Sequence, residues 1–357
     1  MDRPGMDRPG MERPGAVGGM LLGDSVPLLG EGQVPLGALV DQQQTTESEI
    51  NQRYQAVRSK ANKLNISGEE ITASAKDLKM NCELGNGSCG TVFKMSFRGQ
   101  LMAVKTMAKT SNQDELKRII MDLDVVTRAG DCPNIVHSYG YFITDEKVMV
   151  CMELMATCLD RLLRRTNHQP VPEAIIAQIA LSVLTALNYL KEKHSIIHRD
   201  VKPSNILLDW NGVVKLCDFG ISGKLIQSKV YTRQAGCPPY MAPERLNPHA
   251  PPSYDIRSDV WSVGLTMVEL ARGIYPYAHC QSEFEIFSAI IEKDPPFITL
   301  EEGFSPEFVD FVRLLLQKNV ENRPKYPVLL AHPFIEAART ANTDVSEWFA
   351  NLMKIDE

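Results

Sequence analysis

The sequence predicts an α+β fold in two lobes, a small antiparallel β-sheet lobe with one helix followed by a larger, mainly helical lobe. Three observations predict it. Between Leu78 and Lys105 two β-type runs flank the glycine-rich turn Gly85-Asn86-Gly87-Ser88-Cys89-Gly90. Past residue 154 the apolar stretches reach helical length, notably 172–193, which starts with Pro172, and 258–272, which carries no charge between Val260 and Val268. Between them lies the polar loop His198-Arg199-Asp200-Val201-Lys202-Pro203-Ser204-Asn205, followed by Asp218-Phe219-Gly220. Loops at the edge of a core are where chemistry is usually placed.

Length and composition agree. The 357 residues suffice for two lobes with a substantial core plus tails, and 44% hydrophobic with 23% charged content is ordinary for a soluble globular chain. A net charge of -6 gives no basic field, so no nucleic-acid partner is expected. No continuous apolar stretch reads as a bilayer span, so no membrane association is expected, and the start, Met1-Asp2-Arg3-Pro4-Gly5, lacks the apolar core of a signal peptide. Eight scattered cysteines show neither zinc nor disulfide spacing, which suits reduced thiols in the cytosol.

The elements follow in order. Residues 1–15 repeat a Pro-Gly pentapeptide three times, and the composition to about residue 60 suits a disordered tail. Arg58, Lys60 and Lys63 ahead of Leu64-Asn65-Ile66 form a candidate docking peptide near 58–66, with a first β-strand as the favoured alternative. The domain proper is expected over 78–335, with lobes at 78–153 and 154–335. A GxGxxG turn alone is weak, because dinucleotide sites share it. Here Thr91-Val92-Phe93-Lys94-Met95 alternates as a strand, so the turn bridges two strands and its amides can lie over a triphosphate. Met102-Ala103-Val104-Lys105 then brings a lysine to the phosphates.

Residues 111–128 carry a helical stripe through Leu116, Ile119, Ile120 and Leu123. Asp122, at its edge, is the candidate ion-pair partner of Lys105. Residues 147–154 read as a strand, with Glu153-Leu154-Met155 as the hinge between lobes. In the central loop Asp200 is spaced to accept the proton of an incoming hydroxyl, and Lys202 to meet a phosphate. Asn205 and Asp218 supply the oxygen ligands that Mg²⁺ takes together with phosphates. The chemistry that fits is phosphoryl transfer. Residues 222–234 form a patternless polar loop ending at Met241-Ala242-Pro243-Glu244, and Arg323 is a candidate partner for Glu244 across the lobe.

These parts, in this order over about residues 78–335, resemble the eukaryotic protein kinase superfamily. The aspartate at 122 departs from the family's usual glutamate. Ser222-Gly223 and the pair Ser228, Thr232 look like the activation segment of MAP kinase kinases. Met121-Asp122-Leu123-Asp124-Val125-Val126 is similar to the helix of their stress-activated members. Glu153-Leu154-Met155-Ala156-Thr157-Cys158, Gly236-Cys237-Pro238-Pro239-Tyr240 and Asp344-Val345-Ser346-Glu347-Trp348-Phe349 resemble the c-Jun N-terminal kinase-activating group.

The resemblance implies a dual-specificity enzyme that phosphorylates Thr and Tyr in a MAP kinase activation loop, with ATP and Mg²⁺ as cofactors. It implies nucleotide contacts from Leu84, Gly85, Asn86, Gly87, Ser88, Cys89, Gly90, Thr91, Val92, Ala103, Lys105, Met152, Glu153 and Met155, and metal ligation by Asn205 and Asp218. Asp200, Lys202 and Lys105 are the implied catalytic residues, and Ser228 and Thr232 the regulatory phosphorylation sites. The implied partners are a downstream MAP kinase of the c-Jun N-terminal kinase type and an upstream MAP kinase kinase kinase, received by a C-terminal extension over 336–357. The expected location is cytoplasmic, with the nucleus as an alternative. Two rivals stay open: a kinase for the other stress-activated branch, and a pseudokinase scaffold.

Overall fold

A computed structural model describes residues 52, 55–87, 90–109, 123, 129–218, 238–246 and 255–354. The small lobe is one antiparallel sheet of β1 (Lys63–Ile66), β2 (Glu69–Thr72), β3 (Lys79–Gly87), β4 (Gly90–Phe97), β5 (Gln100–Ala108), β6 (Ser138–Ile143) and β7 (Lys147–Met152), ordered β2-β1-β6-β7-β5-β4-β3. The period-2 alternation of strand side chains decides its faces. In β5, Met102 and Val104 bury completely against Met95, Phe97, Phe142 and Cys151, and Lys105 falls on the opposite face.

The sheet starts earlier than the expected boundary at residue 78. Leu64, fully buried, pairs with Ile71 in β2 and with Gly140 in β6. Gly140, at φ 140°, is required here, because a Cβ would sit 2.2 Å from the Lys63 carbonyl oxygen. Residues 55–59, within the segment expected to be disordered, are helical. There Val57 is 2% exposed, and its carbonyl accepts the Tyr141 hydroxyl. The favoured strand reading of Leu64-Asn65-Ile66 therefore holds, with Leu64 buried and Ile66 packed beside the same core, while the tail expected up to about residue 60 is helical from 55 to 59. Leu123 is helical and packs with Val57, Tyr141, Val148 and Val150. The rest of the expected 111–128 helix, Asp122 included, lies outside the described residues.

The large lobe holds a small sheet, β8 (Thr157–Cys158), β9 (Ile206–Leu208) and β10 (Val214–Leu216), and a set of helices. These are α1 (Leu159–Arg165), α2 (Glu173–His194), α3 (Pro243–Leu246), α4 (Arg257–Arg272), α5 (Glu283–Glu292), α6 (Pro306–Leu315), α7 (Tyr326–Leu330), α8 (Pro333–Thr340) and α9 (Val345–Met353). By length and composition α2 could cross a membrane, which corrects the reading that no such stretch exists. It is instead the core of the lobe, burying Ile176, Ile179, Ala180, Leu184 and Leu187. In α4 every residue from Ser258 to Ala271 is buried, as its uncharged run foretold.

The core continues past residue 335 into the C-terminal extension, where Trp348 and Phe349 pack on the large lobe. α9 starts on an Asp344 cap that accepts the Glu347 amide at 2.8 Å. It buries Phe349 to 1% and lays Val345, Trp348 and Leu352 on the same core. Arg165 donates to its Met353 carbonyl at 3.1 Å.

Candidate active site

The strand register assembles the cleft face of the small lobe. Lys105 stands opposite Val92 on β4 and Val150 on β7, and Ala103 stands opposite Met152. Val92, Ala103, Lys105 and Met152, all expected at the nucleotide, are thus neighbours. Met152 also packs beside Val57, Tyr141 and Val150. The glycine-rich turn joins two strands, as its alternation predicted: Gly85 pairs with Val92, Asn86 with Thr91 and Gly87 with Gly90. Gly90 has φ 127°, and a Cβ there would meet the Thr106 carbonyl oxygen at 2.4 Å, so no larger residue fits. Ser88 and Cys89 lie outside the described residues.

Lys105, 8% exposed, forms an ion pair with Asp218 from the large lobe. Its expected partner Asp122, like Ser228 and Thr232, lies outside the described residues. Asp200 accepts from Lys202 Nζ at 2.9 Å and from Asn205 Nδ2 at 2.9 Å, and its backbone carbonyl accepts the same amide at 2.7 Å. Catalytic and metal-binding candidates are therefore brought together.

Two short bonds lace the loops that carry them. His198 Nε2 donates to the Cys217 carbonyl at 2.9 Å, and the Cys217 amide donates to the Asn205 carbonyl at 2.9 Å. His198 Nδ1 accepts the Asp200 amide at 3.3 Å, which fixes the ring tautomer. Arg199 (φ 69°) and Asp218 (φ 62°) are both left-handed, a conformation that costs a non-glycine residue about 1–3 kcal/mol and clusters at functional sites.

Two residues that the sequence reading did not single out, Asp259 and Lys215, help to hold this arrangement. Asp259, 1% exposed, accepts the amides of His198 and Arg199 at 2.8 and 2.7 Å and the Tyr326 hydroxyl at 3.2 Å. The available signal was an acidic residue opening an otherwise apolar helix, since a buried carboxylate must find donors. Lys215 clasps both carboxylate oxygens of Glu153 at 2.7 and 2.8 Å, and one of them also accepts the His137 amide at 2.6 Å. The Glu153 side chain thus ties the hinge to β10, leaving only backbone for a nucleotide. Met155 follows it, half-buried. Arg323, 1% exposed, forks onto Glu244 at 2.9 and 3.1 Å, as expected, with its guanidinium carbon 5.3 Å from the Trp261 ring centroid.

The oxygen donors suit Mg²⁺. With its amide nitrogen committed to Asp200, Asn205 presents its carbonyl oxygen, and the Asp218 carboxylate is the second hard donor. Among the described residues no trio of His, Cys, Asp or Glu converges as a metal cage. An ion that keeps water and phosphate ligands needs none.

Comparison with known proteins agrees with this geometry. Residues 78–335 match the protein kinase domain. The chain is 54% identical over 290 residues to the dual specificity mitogen-activated protein kinase kinase mek-1 of Caenorhabditis elegans, covering 81% of this chain and 82% of that one. It is 48% identical over 309 residues to dual specificity mitogen-activated protein kinase kinase 7 of Homo sapiens, covering 85% and 74%. Identity to hemipterous of Drosophila melanogaster, also a dual specificity mitogen-activated protein kinase kinase, is 48% over 309 residues, 85% of this chain and 26% of that longer one.

Proposed function

The chain belongs to the protein kinase family and within it to the dual-specificity MAP kinase kinases, and from that premise we propose its substrate and its control. The protein transfers the γ-phosphoryl group of ATP to Thr and Tyr in the activation loop of a MAP kinase of the c-Jun N-terminal kinase type. The observation that carries the transfer chemistry is the laced cluster of Asp200, Lys202 and Asn205, tied through the Cys217 amide to the loop that brings Asp218 to Lys105.

Asp200 orients the substrate hydroxyl and takes its proton. Lys202, held 2.9 Å from Asp200, meets the negative charge that builds on the transferring group. Lys105 reaches the nucleotide phosphates from β5. Mg²⁺ held by the oxygens of Asn205 and Asp218 would neutralise phosphate charge.

The choice of substrate rests on the likeness of the hinge, activation segment and tail sequences to the c-Jun N-terminal kinase-activating group. The enzyme is switched on by an upstream MAP kinase kinase kinase, received at the C-terminal helix, which phosphorylates Ser228 and Thr232. A phosphate adds about -1.5 to -2 charge, which Arg199, beside Asp200, is placed to receive. The protein works in the cytoplasm. The test is to incubate wild type and the Ser228→Ala, Thr232→Ala double variant with an upstream kinase. Each is then assayed against a panel of inactive MAP kinases, with phosphosites read by mass spectrometry. Dual phosphorylation of the c-Jun N-terminal kinase type by wild type alone is expected. Preference for another branch overturns the substrate, and equal activation of both proteins overturns the switch.

A further inference from the structure

Leu84 is the extra residue of a β-bulge. Glu83 pairs with Phe93 and Gly85 with Val92, so Leu84 has no opposite residue on β4. A bulge leaves its inserted residue outside the ladder. The Leu84 carbonyl is satisfied instead from the other lobe, where Nη2 of Arg161, in the first turn of α1, donates to it. The same nitrogen lies 3.7 Å from the point where a Gly85 Cβ would stand, so the guanidinium rests on the entry to the glycine-rich turn. The adjacent acid does not draw it away, because Asp160 pairs with Arg164 at 3.0 Å, one helical turn on.

From this geometry we infer that Arg161 is a clasp on the nucleotide cleft, fastening the glycine-rich strand to the large lobe and setting how fast nucleotide leaves. Two of the contacts between the lobes bear on this role. The inner one, Lys105–Asp218, is made of groups that the phosphates and the metal require during transfer. The outer one, Arg161–Leu84, uses a backbone carbonyl and a side chain with no place in the chemistry. It can part and re-form without disturbing the reacting groups, as a lid contact must. Lid opening and product release, rather than chemistry, limit many enzymes. The arginine is exposed, so its grip is that of one screened, charge-assisted hydrogen bond. That is enough to alter a release rate and too little to lock the cleft.

The inference rests on the nucleotide site assigned above, and its test separates the two. In the full chain, release of a fluorescent ADP analogue is followed by stopped flow for wild type, Arg161→Ala and Arg161→Lys. Single-turnover phosphoryl transfer and thermal midpoint are measured beside it. Arg161→Ala should release the analogue ~3- to 10-fold faster, the effect of one exposed charge-assisted hydrogen bond, with single-turnover rate and midpoint unchanged. Arg161→Lys, which keeps a charged donor, should recover part of the slow release. Unchanged release in Arg161→Ala, or a loss in the single-turnover step equal to any change in release, overturns the clasp. A wild-type chain that binds no ADP analogue removes the nucleotide site, and the clasp with it.

Discussion

Asp259 receives the backbone amide of Arg199 at 2.7 Å and so holds a left-handed residue one position before Asp200. Its other oxygen takes the His198 amide at 2.8 Å. The carboxylate sits at the start of the buried α4, so the helix core sets the height of the loop that carries Asp200. Asp259→Asn would turn one acceptor into a donor facing an amide. The variant should lose about 2–4 kcal/mol of stability through unsatisfied buried donors. Its kcat should fall by roughly 10- to 100-fold through misplacement of Asp200. Thermal melts and steady-state kinetics check both. Retained kcat would release the loop from this anchor.

Asp200→Asn should lower phosphoryl transfer by ~10²–10⁴, the range for loss of a positioned base. Nucleotide binding should persist, because Lys105 and the glycine-rich turn are untouched. A substituted protein with near-full turnover would remove Asp200 from the role.

The legible part of this protein was the part written in consecutive residues. The strand–turn–strand at Gly85–Gly90, the lysine on β5 and the polar loop from His198 to Asn205 announce themselves by local spacing and alternation. The Arg323–Glu244 pair was within reach because both residues sit in short polar motifs. Harder to see were partners joined only by the fold. Asp259 acts 60 residues from Arg199, and Lys215 acts 62 from Glu153. The first strand was ambiguous for another reason. Leu64-Asn65-Ile66 is too short to prefer sheet over peptide, and its burial depends on Gly140 admitting the Lys63 backbone. Arg161 gave no signal at all, since the carbonyl it satisfies exists only because of a bulge.

Glu269 in α4 yields a pH effect. Burial pushes its carboxyl up to about 7, with the charge of Asp160 adding and the Tyr240 hydroxyl, donating at 2.5 Å, opposing. An acid raised in the fold stabilises it fully below the ordinary value of 4.5 and loses that contribution as pH climbs through about 7. Glu269→Gln keeps an acceptor for Tyr240 and removes the titration. Relative to this variant, wild type should lose up to about 3 kcal/mol between pH 5 and pH 8. Parallel melting profiles across that range would refute the assignment.

Cys158, beside the hinge, and Cys217, before Asp218, are quiet thiols. Burial raises Cys158, and burial with the Asp218 charge raises Cys217 well above its ordinary value. Since the thiolate is the nucleophile, a freely diffusing thiol reagent near neutral pH should label exposed Cys82 ahead of either. An electrophile carried by an adenine-site ligand should reach one of the two by proximity. Peptide mass spectrometry decides. Rapid labelling of Cys217 by the free reagent would contradict the suppressed thiol, and no labelling with the ligand-borne group would move both cysteines away from the nucleotide.

The C-terminal helix packs on the core through one face, and the docking proposed for its other face can be tested apart from that packing. Its inner face carries Phe349, 1% exposed in the large-lobe core, with Val345 and Leu352 beside it. Phe349→Ala should cost about 3–5 kcal/mol, as for other buried aromatics, and lower the melting point whether or not an upstream kinase is present. Trp348 is only half-buried against that core, so Trp348→Ala would mix packing with docking. Glu347 is cleaner, because it is exposed and its backbone amide, not its side chain, closes the Asp344 cap. Glu347→Lys should leave the melting point and the activity of an already phosphorylated enzyme unchanged, and it should slow activation by the upstream kinase. If that kinase activates the lysine variant as fast as wild type, this part of the outer face does not receive it, and the packing shown by Phe349 is what remains of the helix's role.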